Sequence, residues 1–232
     1  NPGFKASTEE FNTGVVGGSW ATGGSLNTAR ESLGGTGVST AALAFGGGST
    51  GVNVTELYNG TNWTEVNNLT TARANIQGNG TQTATLAFGG YTGSQTAVTE
   101  LWNGTNWTEV NDLNTARYSP GGAGTSTAGL AFGGAAPVKN ETELWNGTNW
   151  TEVNNLGTAR YGAAGAGTST AALAFGGTAD PPNTALTETW NGTNWTEVND
   201  LNTARYGLGG AGTQTAALAF GGNPRTNVTE TW

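Results

Sequence analysis

A unit of 43 to 45 residues is repeated five times along this chain, and this repeat constrains the fold more than any other feature. The tripeptide Thr-Ala-Arg, the sequence Ala-Phe-Gly-Gly and a Trp each recur with the same spacings of 43, 44, 43 and 45 residues. Three landmarks in step indicate five copies of one supersecondary unit. The arginines are Arg30, Arg73, Arg117, Arg160 and Arg205, and the tryptophans are Trp20, Trp63, Trp107, Trp150 and Trp195.

Each unit contains four short β-prone segments, which we call A to D from the Arg onward. Segment A is rich in Gly and Ala, B ends in Ala-Phe-Gly-Gly, and C and D are joined by Asn-Gly-Thr-Asn. Asn-Gly between two β-prone runs is a strong hairpin signal, because both residues tolerate positive φ. No segment has a helical apolar period. Four short antiparallel strands per unit predict an all-β fold, a single five-bladed β-propeller.

The units span residues of about 28–70, 71–114, 115–157, 158–202 and 203–232. The last unit stops after its C segment, Val228–Trp232, whereas a D-like segment around Trp20 precedes the first A segment. We therefore expect residues 13–27 to complete the last blade and close the ring, which removes an exposed sheet edge. Residues 1–12 are predicted to be an arm or linker, although Thr8–Phe11 resembles a sixth C segment.

The order of these landmarks resembles the kelch repeat. Arg160, the pair Gly176-Gly177, Trp190 and Trp195 stand where that repeat has its Arg, double glycine, C-strand aromatic and D-strand Trp. The resemblance covers almost the whole chain and implies a propeller, but it implies no particular function. The units are slightly shorter than usual kelch repeats and carry Leu-Ala-Phe in the second strand. In their Asn/Thr/Gly style they look similar to repeats in structural proteins of marine bacteriophages.

Two positions of the A segment, two residues apart, are glycine in every unit, and their spacing predicts that both lie on one face of an inner strand. We expect them to permit a close approach of five strands around the axis. The first column is Gly35, Gly78, Gly122, Gly165 and Gly210, and the second is Gly37, Gly80, Gly124, Gly167 and Gly212.

The composition argues against an enzyme. The chain has no His, Cys or Met, so Ser-His-Asp and Cys-His systems and imidazole or thiolate metal sites cannot form, and no metal or cofactor is predicted. A glycosidase needs two carboxylates facing across a sugar, whereas the glutamates recur on C and D segments, where we expect solvated edge charges. The net charge of -8 and the absence of a long apolar run argue against nucleic acid and membrane insertion.

Two repeated side chains have a structural and a functional interpretation. The Trp residues could pack between neighbouring sheets or stack on sugars, and their fixed positions favour packing. The Thr-Ala-Arg arginines could hold the turns between adjacent blades or form a ring of anion-binding groups, and the guanidinium donors favour the turns.

Function is expected where the copies differ, in the B–C loops, which should share a face with the D–A turns. The candidate ligand-binding residues there are Tyr91, Lys139, Asp180, Arg225, Tyr118, Tyr161 and Tyr206. We predict a recognition module for a glycan or protein surface, with a virion or an extracellular surface as its favoured setting and a larger assembly as its context. The alternative is a purely structural spacer or decoration protein without a small ligand.

Overall fold

The computed structural model describes residues 9–12, 19–179 and 182–232, and it describes side chains from residue 22 onward. The regular structure in these ranges is entirely β-strand, as 21 strands. They form five antiparallel sheets that follow one another along the chain as the blades of a β-propeller, and one separate hairpin. The predicted all-β, five-bladed fold is confirmed. The described residues include no helix that could span a membrane.

Each blade begins with its A strand and proceeds outward in chain order. The N-terminal hairpin is β1 (Glu9–Asn12) and β2 (Ser19–Thr22). Blade 1 contains β3 (Gly34–Val38), β4 (Ala41–Phe45), β5 (Thr55–Tyr58) and β6 (Trp63–Val66). Blade 2 contains β7 (Gln77–Thr81), β8 (Ala84–Phe88), β9 (Thr99–Trp102) and β10 (Trp107–Glu109). Blade 3 contains β11 (Gly121–Gly124), β12 (Gly129–Phe132), β13 (Thr142–Trp145) and β14 (Trp150–Val153). Blade 4 contains β15 (Ala164–Gly167), β16 (Ala172–Phe175), β17 (Thr187–Trp190) and β18 (Trp195–Glu197). Blade 5 contains β19 (Gly209–Thr213), β20 (Ala216–Phe220) and β21 (Thr229–Thr231).

The C–D hairpins are fixed by the repeated Asn-Gly-Thr-Asn sequence. In blade 3, Asn146 Oδ1 accepts hydrogen bonds from the backbone N–H groups of Thr148 and Asn149, each at 2.9 Å. Gly147 has a φ of 94°, which glycine adopts without strain. This turn places Trp145 directly opposite Trp150 in the sheet register.

The first glycine column allows neighbouring blades to pack. A Cβ at Gly78 would lie 2.5 Å from the ring of Phe45, and a Cβ at Gly165 would lie 2.9 Å from the ring of Phe132. Each ring comes from the B strand of the preceding blade and is withdrawn from solvent. These glycines therefore provide the close approach that the sequence predicts, and the approaching group is a phenyl ring of the neighbouring blade.

The second glycine column has a different cause from the one predicted. Gly124 has a φ of 108°, and a Cβ there would lie 2.3 Å from the carbonyl oxygen of Ala128, across its own A–B hairpin. The equivalent Gly167 has a φ of 106° and meets the carbonyl oxygen of Ala171 at 2.2 Å. These glycines are required by the left-handed backbone before a tight turn, so they do not serve the approach to the axis.

The predicted closure is not formed in the structure. Strand β2 pairs with β1, with Phe11 opposite Trp20, and the fifth sheet contains only β19, β20 and β21. Residues 9–12, predicted to belong to an arm or linker, form strand β1. The physical reason is that β1 has a C-type sequence next to β2, so a local hairpin can form without closing the ring.

The packing between successive blades is also not repeated between blade 5 and blade 1. A Cβ at Gly35 would meet only the carbonyl oxygen of Leu43, at 3.7 Å, whereas its equivalents in blades 2 to 5 face a Phe ring of the preceding blade. The five blades are thus linked in chain order, and the last junction differs from the other four.

Candidate functional site

A cavity of about 480 Å³ lies where the five blades meet. Its wall is built from the residues between each Arg and its A strand, together with Gly222 and Asn223 of one B–C loop. Glu31 is the single carboxylate among the lining residues. Polar side chains from blades 1 to 3 face this space, and they are Glu31, Ser32, Asn75, Gln77 and Ser119.

The second residue after each Arg has a left-handed backbone conformation. It is joined to the equivalent residue of the neighbouring blade by a backbone hydrogen bond. Ser32, Asn75 and Ser119 have φ values of 56°, 52° and 50°. The N–H of Asn75 donates to the carbonyl of Ser32 at 2.8 Å, and the N–H of Ser119 donates to the carbonyl of Asn75 at 2.9 Å. Gly162 and Gly207 continue this series, with bonds of 2.9 and 2.7 Å. Non-glycine residues rarely adopt this conformation, so the cavity wall stores backbone strain.

Four tyrosines form a belt beside this cavity, which we call the tyrosine belt. Tyr91, Tyr118, Tyr161 and Tyr206 follow one another with ring centroids 5.8, 6.3 and 6.2 Å apart, in edge-to-face contacts. All four are partly exposed, and Tyr206 also lines the cavity. The ring contacts connect blades 2 to 5, while each tyrosine forms a β-bridge between the D–A turn and the B–C loop of its own blade.

The remaining ligand-binding candidates are placed differently. The side chain of Lys139 is only 9% exposed and its Nζ lies 4.0 Å from Glu141 Oε1, so it is not brought to the surface of the site. Arg225 is exposed on the B–C loop of blade 5. Asp180 lies outside the described residues.

The five repeated arginines are buried, and each pairs with the glutamate of the C strand in its own blade. Distances between the paired nitrogen and oxygen atoms are 3.2 Å for Arg73–Glu100, 3.1 Å for Arg160–Glu188 and 2.9 Å for Arg205–Glu230. Arg117–Glu143 is 2.6 Å, and Arg30 pairs with Glu56. With these guanidinium groups withdrawn from solvent, no ring of anion-binding groups lies on the described surface.

The paired glutamate also holds the linker that enters each blade. Glu143 Oε2 accepts hydrogen bonds from the backbone N–H and the side-chain amide of Asn114, at 2.7 and 2.9 Å. The backbone carbonyl of Arg117 accepts from Gly90 of the preceding blade at 2.9 Å. The Arg–Glu pair therefore fixes the turn between adjacent blades, the role that the sequence favours for these arginines.

Burial of these arginines changes their ionisation. Desolvation lowers the pKa of Arg73 to about 10, and the charge of Glu100 opposes this shift. Desolvation also lowers the pKa of Arg117 and of Arg160, opposed by Glu143 and Glu188. With its pKa at about 10, the Arg73 guanidinium still carries its charge at neutral pH.

The expectation of solvated edge glutamates is wrong for the C strands and holds for the D strands. Glu100 and Glu143 are 0% and 1% exposed, whereas Glu109 and Glu152, directly opposite them on the D strands, are exposed. A buried carboxylate needs a partner, and here the repeated Arg supplies it. Among the described residues no group of three acidic side chains converges as a metal site would require.

Three D-strand tryptophans, Trp107, Trp150 and Trp195, pack between blades, as their fixed positions predict. Trp150 lies against Phe88 of the preceding blade, with ring centroids 5.1 Å apart, and its Nε1 donates to Thr99 Oγ1 at 3.1 Å. Trp107 and Trp195 make the equivalent bonds to Thr55 and Thr142. These three indoles are thus held in the junctions between neighbouring blades.

Sequence reasoning missed most of the cavity wall. Ser32, Asn75 and Ser119 vary in type between units, so the repeat does not single them out. The available signal was their constant position, two residues after the Arg, immediately before an inner strand. No protein-family model matches the chain, and no curated protein matches it with significant similarity.

Proposed function

We propose that this chain is a non-enzymatic recognition module that binds a glycan or protein surface through the tyrosine belt and the adjoining cavity. The observation that carries the proposal is the belt itself, four partly exposed rings in one row beside a polar cavity. Aromatic rings with a polar edge combine an apolar contact surface with a hydrogen-bonding hydroxyl, which suits carbohydrate as well as protein surfaces.

The inventory of the site supports binding without catalysis. Glu31 is the single carboxylate lining the cavity, and hydrolysis of a glycosidic bond needs a pair. The chain has no His or Cys to serve as an alternative base or nucleophile.

A rigid scaffold beneath a polar face is what a recognition module requires. The Arg–Glu pairs and the indole bonds fix each blade, so the tyrosines are held in place before any ligand arrives. The setting on a virion or cell surface is part of the proposal, and its support is the resemblance of the units to repeats of phage structural proteins.

Glycan-array binding followed by calorimetry tests the proposal. The variant Tyr118→Ala/Tyr161→Ala should abolish binding of any glycan that the intact chain captures, while Tyr118→Phe/Tyr161→Phe should retain the stacking part of the affinity. Binding that survives the alanine variant would show that the belt is not the site.

One observation favours the second candidate, a structural module without a ligand. The tyrosines contact one another edge to face, so their packing is partly satisfied within the belt. If the chain is a spacer, no glycan or protein is captured by the intact chain, and the tyrosine variants change stability alone.

A further inference from the structure

The tyrosine belt covers blades 2 to 5, and in blade 1 a glutamate stands in the place of the tyrosine. Glu31 directly follows the repeated Arg of its blade, as Tyr118 does in blade 3. The backbone carbonyl of Tyr118 accepts from the N–H of Ala135 at 2.9 Å. The carbonyl of Glu31 accepts from the N–H of Gly48, the residue equivalent to Ala135, at 2.7 Å. Glu31 therefore occupies the belt position of blade 1.

Blade 2 keeps its ring in the belt although the tyrosine has moved in the sequence. The tyrosines of blades 3 to 5 come from the D–A turns. In blade 2 the turn carries Ala74, and Tyr91 lies opposite it in the B–C loop, where its ring still reaches Tyr118 at 5.8 Å. Blade 1 has Gly48 across from Glu31, so it supplies a carboxylate at this level and no ring.

The carboxylate of Glu31 is not used inside the protein. Glu31 is exposed and lines the cavity, and its side chain makes no ion pair or hydrogen bond among the described residues. In contrast, the C-strand glutamates are paired with the repeated arginines, as Glu143 is with Arg117. The described residues that line the cavity include no Lys or Arg, and Arg225 of the nearby B–C loop is not one of them. No lining group therefore compensates the negative charge of Glu31.

The remaining lining groups divide the cavity into two different sides. Ser32, Asn75 and Ser119 use their backbone in the contacts between blades, and their side chains make no hydrogen bond within the described part of the chain. The wall from blades 4 and 5 consists mostly of glycine, alanine and leucine beside Tyr206 and Asn223. Unused polar groups are thus concentrated on the side of blades 1 to 3, where Glu31 also lies.

We infer that this cavity binds a sugar carrying a protonated amino group, and that Glu31 selects it. The inference rests on the proposed function of the tyrosine belt. A sugar ring has a polar edge and an apolar face, which match the two sides of the cavity, and about 480 Å³ is a typical volume for a small-molecule site.

The charge of Glu31 determines which sugars are favoured. An ammonium group donates charge-assisted hydrogen bonds to a carboxylate, and these are stronger than the bonds of a neutral hydroxyl. An acidic sugar would be repelled by Glu31, and no cation among the described lining residues offsets that repulsion. The order of affinity is therefore amino sugar, then neutral sugar, then acidic sugar.

Three β-linked tetrasaccharides, of glucosamine, N-acetylglucosamine and glucose, test the inference. They differ in one substituent of each ring, which is an amino, an acetamido or a hydroxyl group. Calorimetry slightly below neutral pH, where the amino sugar is protonated, measures their affinities. We expect the glucosamine tetrasaccharide to bind about tenfold more tightly than the other two, because a charge-assisted hydrogen bond replaces a neutral one.

A pair of matched variants assigns this preference to Glu31. Glu31→Gln keeps the shape of the side chain and removes its charge, so the glucosamine and glucose tetrasaccharides should then bind with similar affinity. Glu152→Gln changes the net charge by the same amount at an exposed position of strand β14, and it should keep the preference. Unchanged unfolding midpoints show that both variants are folded.

The possible failures separate this inference from the proposed function. Belt-dependent binding, lost in Tyr118→Ala/Tyr161→Ala but without preference for the amino sugar, would overturn the inference alone. A preference that Glu152→Gln lowers as much as Glu31→Gln would also overturn it, because the attraction would then come from the overall charge. If the intact chain does not bind the glucosamine tetrasaccharide, the inference is wrong, and the glycan array decides the proposed function independently.

Discussion

Arg117 Nη2 lies 2.6 Å from Glu143 Oε1, and both side chains are withdrawn from solvent. One such pair occurs in every blade, and each carboxylate also accepts hydrogen bonds from the linker that enters the blade. The pair therefore joins sheet and linker at the same point of each repeat. A buried pair of this kind favours one arrangement of sheet and linker, because burying either charge without its partner would cost free energy of folding.

Glu143→Ala should destabilise the protein by about 3–5 kcal/mol, because it leaves the Arg117 guanidinium buried without its counter-charge. Urea unfolding followed by circular dichroism measures this free energy. The control is Glu152→Ala, directly opposite on the exposed D strand, which should change it by less than about 0.5 kcal/mol. Equal effects of the two substitutions would contradict the buried pair.

Gly165→Ala should destabilise the junction between blades 3 and 4. A Cβ there would lie 2.2 Å from the carbonyl oxygen of Gly122 and 2.9 Å from the Phe132 ring, so the backbones must separate. We expect a loss of about 1–3 kcal/mol in thermal or urea unfolding.

Gly157→Ala is the matched control for that experiment. The other four units carry Asn or Thr at this position, so a Cβ is accommodated there, and the nearest atom to it is a Glu188 carboxylate oxygen at 3.3 Å. Its effect should stay within about 0.5 kcal/mol. If Gly165→Ala were tolerated equally well, the Phe ring of one blade could not be packed directly against the glycine of the next.

Thr99→Val should cost about 1–3 kcal/mol, because the buried Trp150 indole N–H loses its acceptor while the side chain keeps its shape. Unfolding monitored by tryptophan fluorescence reports both the stability and the environment of the indole. Thr108→Val, at an exposed position of the same blade, is the control. A neutral Thr99→Val would mean that the indole does not depend on this bond.

Lys139→Ala should leave glycan binding unchanged, because its side chain is buried beside Glu141. Glu31→Gln, at an exposed position of the cavity wall, should weaken binding about tenfold, which corresponds to about 1.4 kcal/mol. Calorimetry with a glycan that the intact chain captures measures both. Loss of binding in Lys139→Ala with unchanged stability would place the site on the B–C loop of blade 3 instead.

The repeat predicted the number of blades and the order of the strands, because each landmark has a fixed place in a unit. The positions of Phe132 and Trp150, for example, follow from the period alone. The period does not show which of the repeated residues contact one another. Arg117 and Glu143 recur with the same period whether they meet or not, so burial of the glutamate could not be separated from an exposed edge charge.

The candidate site was predicted only in part for a related reason. The tyrosines stand out by residue type in variable loops, and the structure brings Tyr118 and Tyr161 together. Lys139 also stood out by type, but its burial depends on how one loop folds back on itself. The pairing of β2 could not be decided either, because β1 and β21 have similar sequences and the choice between them is made by chain connectivity.

The distance between spin labels at Glu31→Cys and Asn223→Cys, exposed positions on blades 1 and 5, tests the central claim, five sheets arranged around one cavity, most directly. Because both residues line the same cavity, we expect the labels to be about 20 Å apart or less, within two sheet spacings. Five sheets stacked about 10 Å apart in a row would instead place the first and fifth sheets about 40 Å apart. That result would contradict the arrangement of blades around a common cavity.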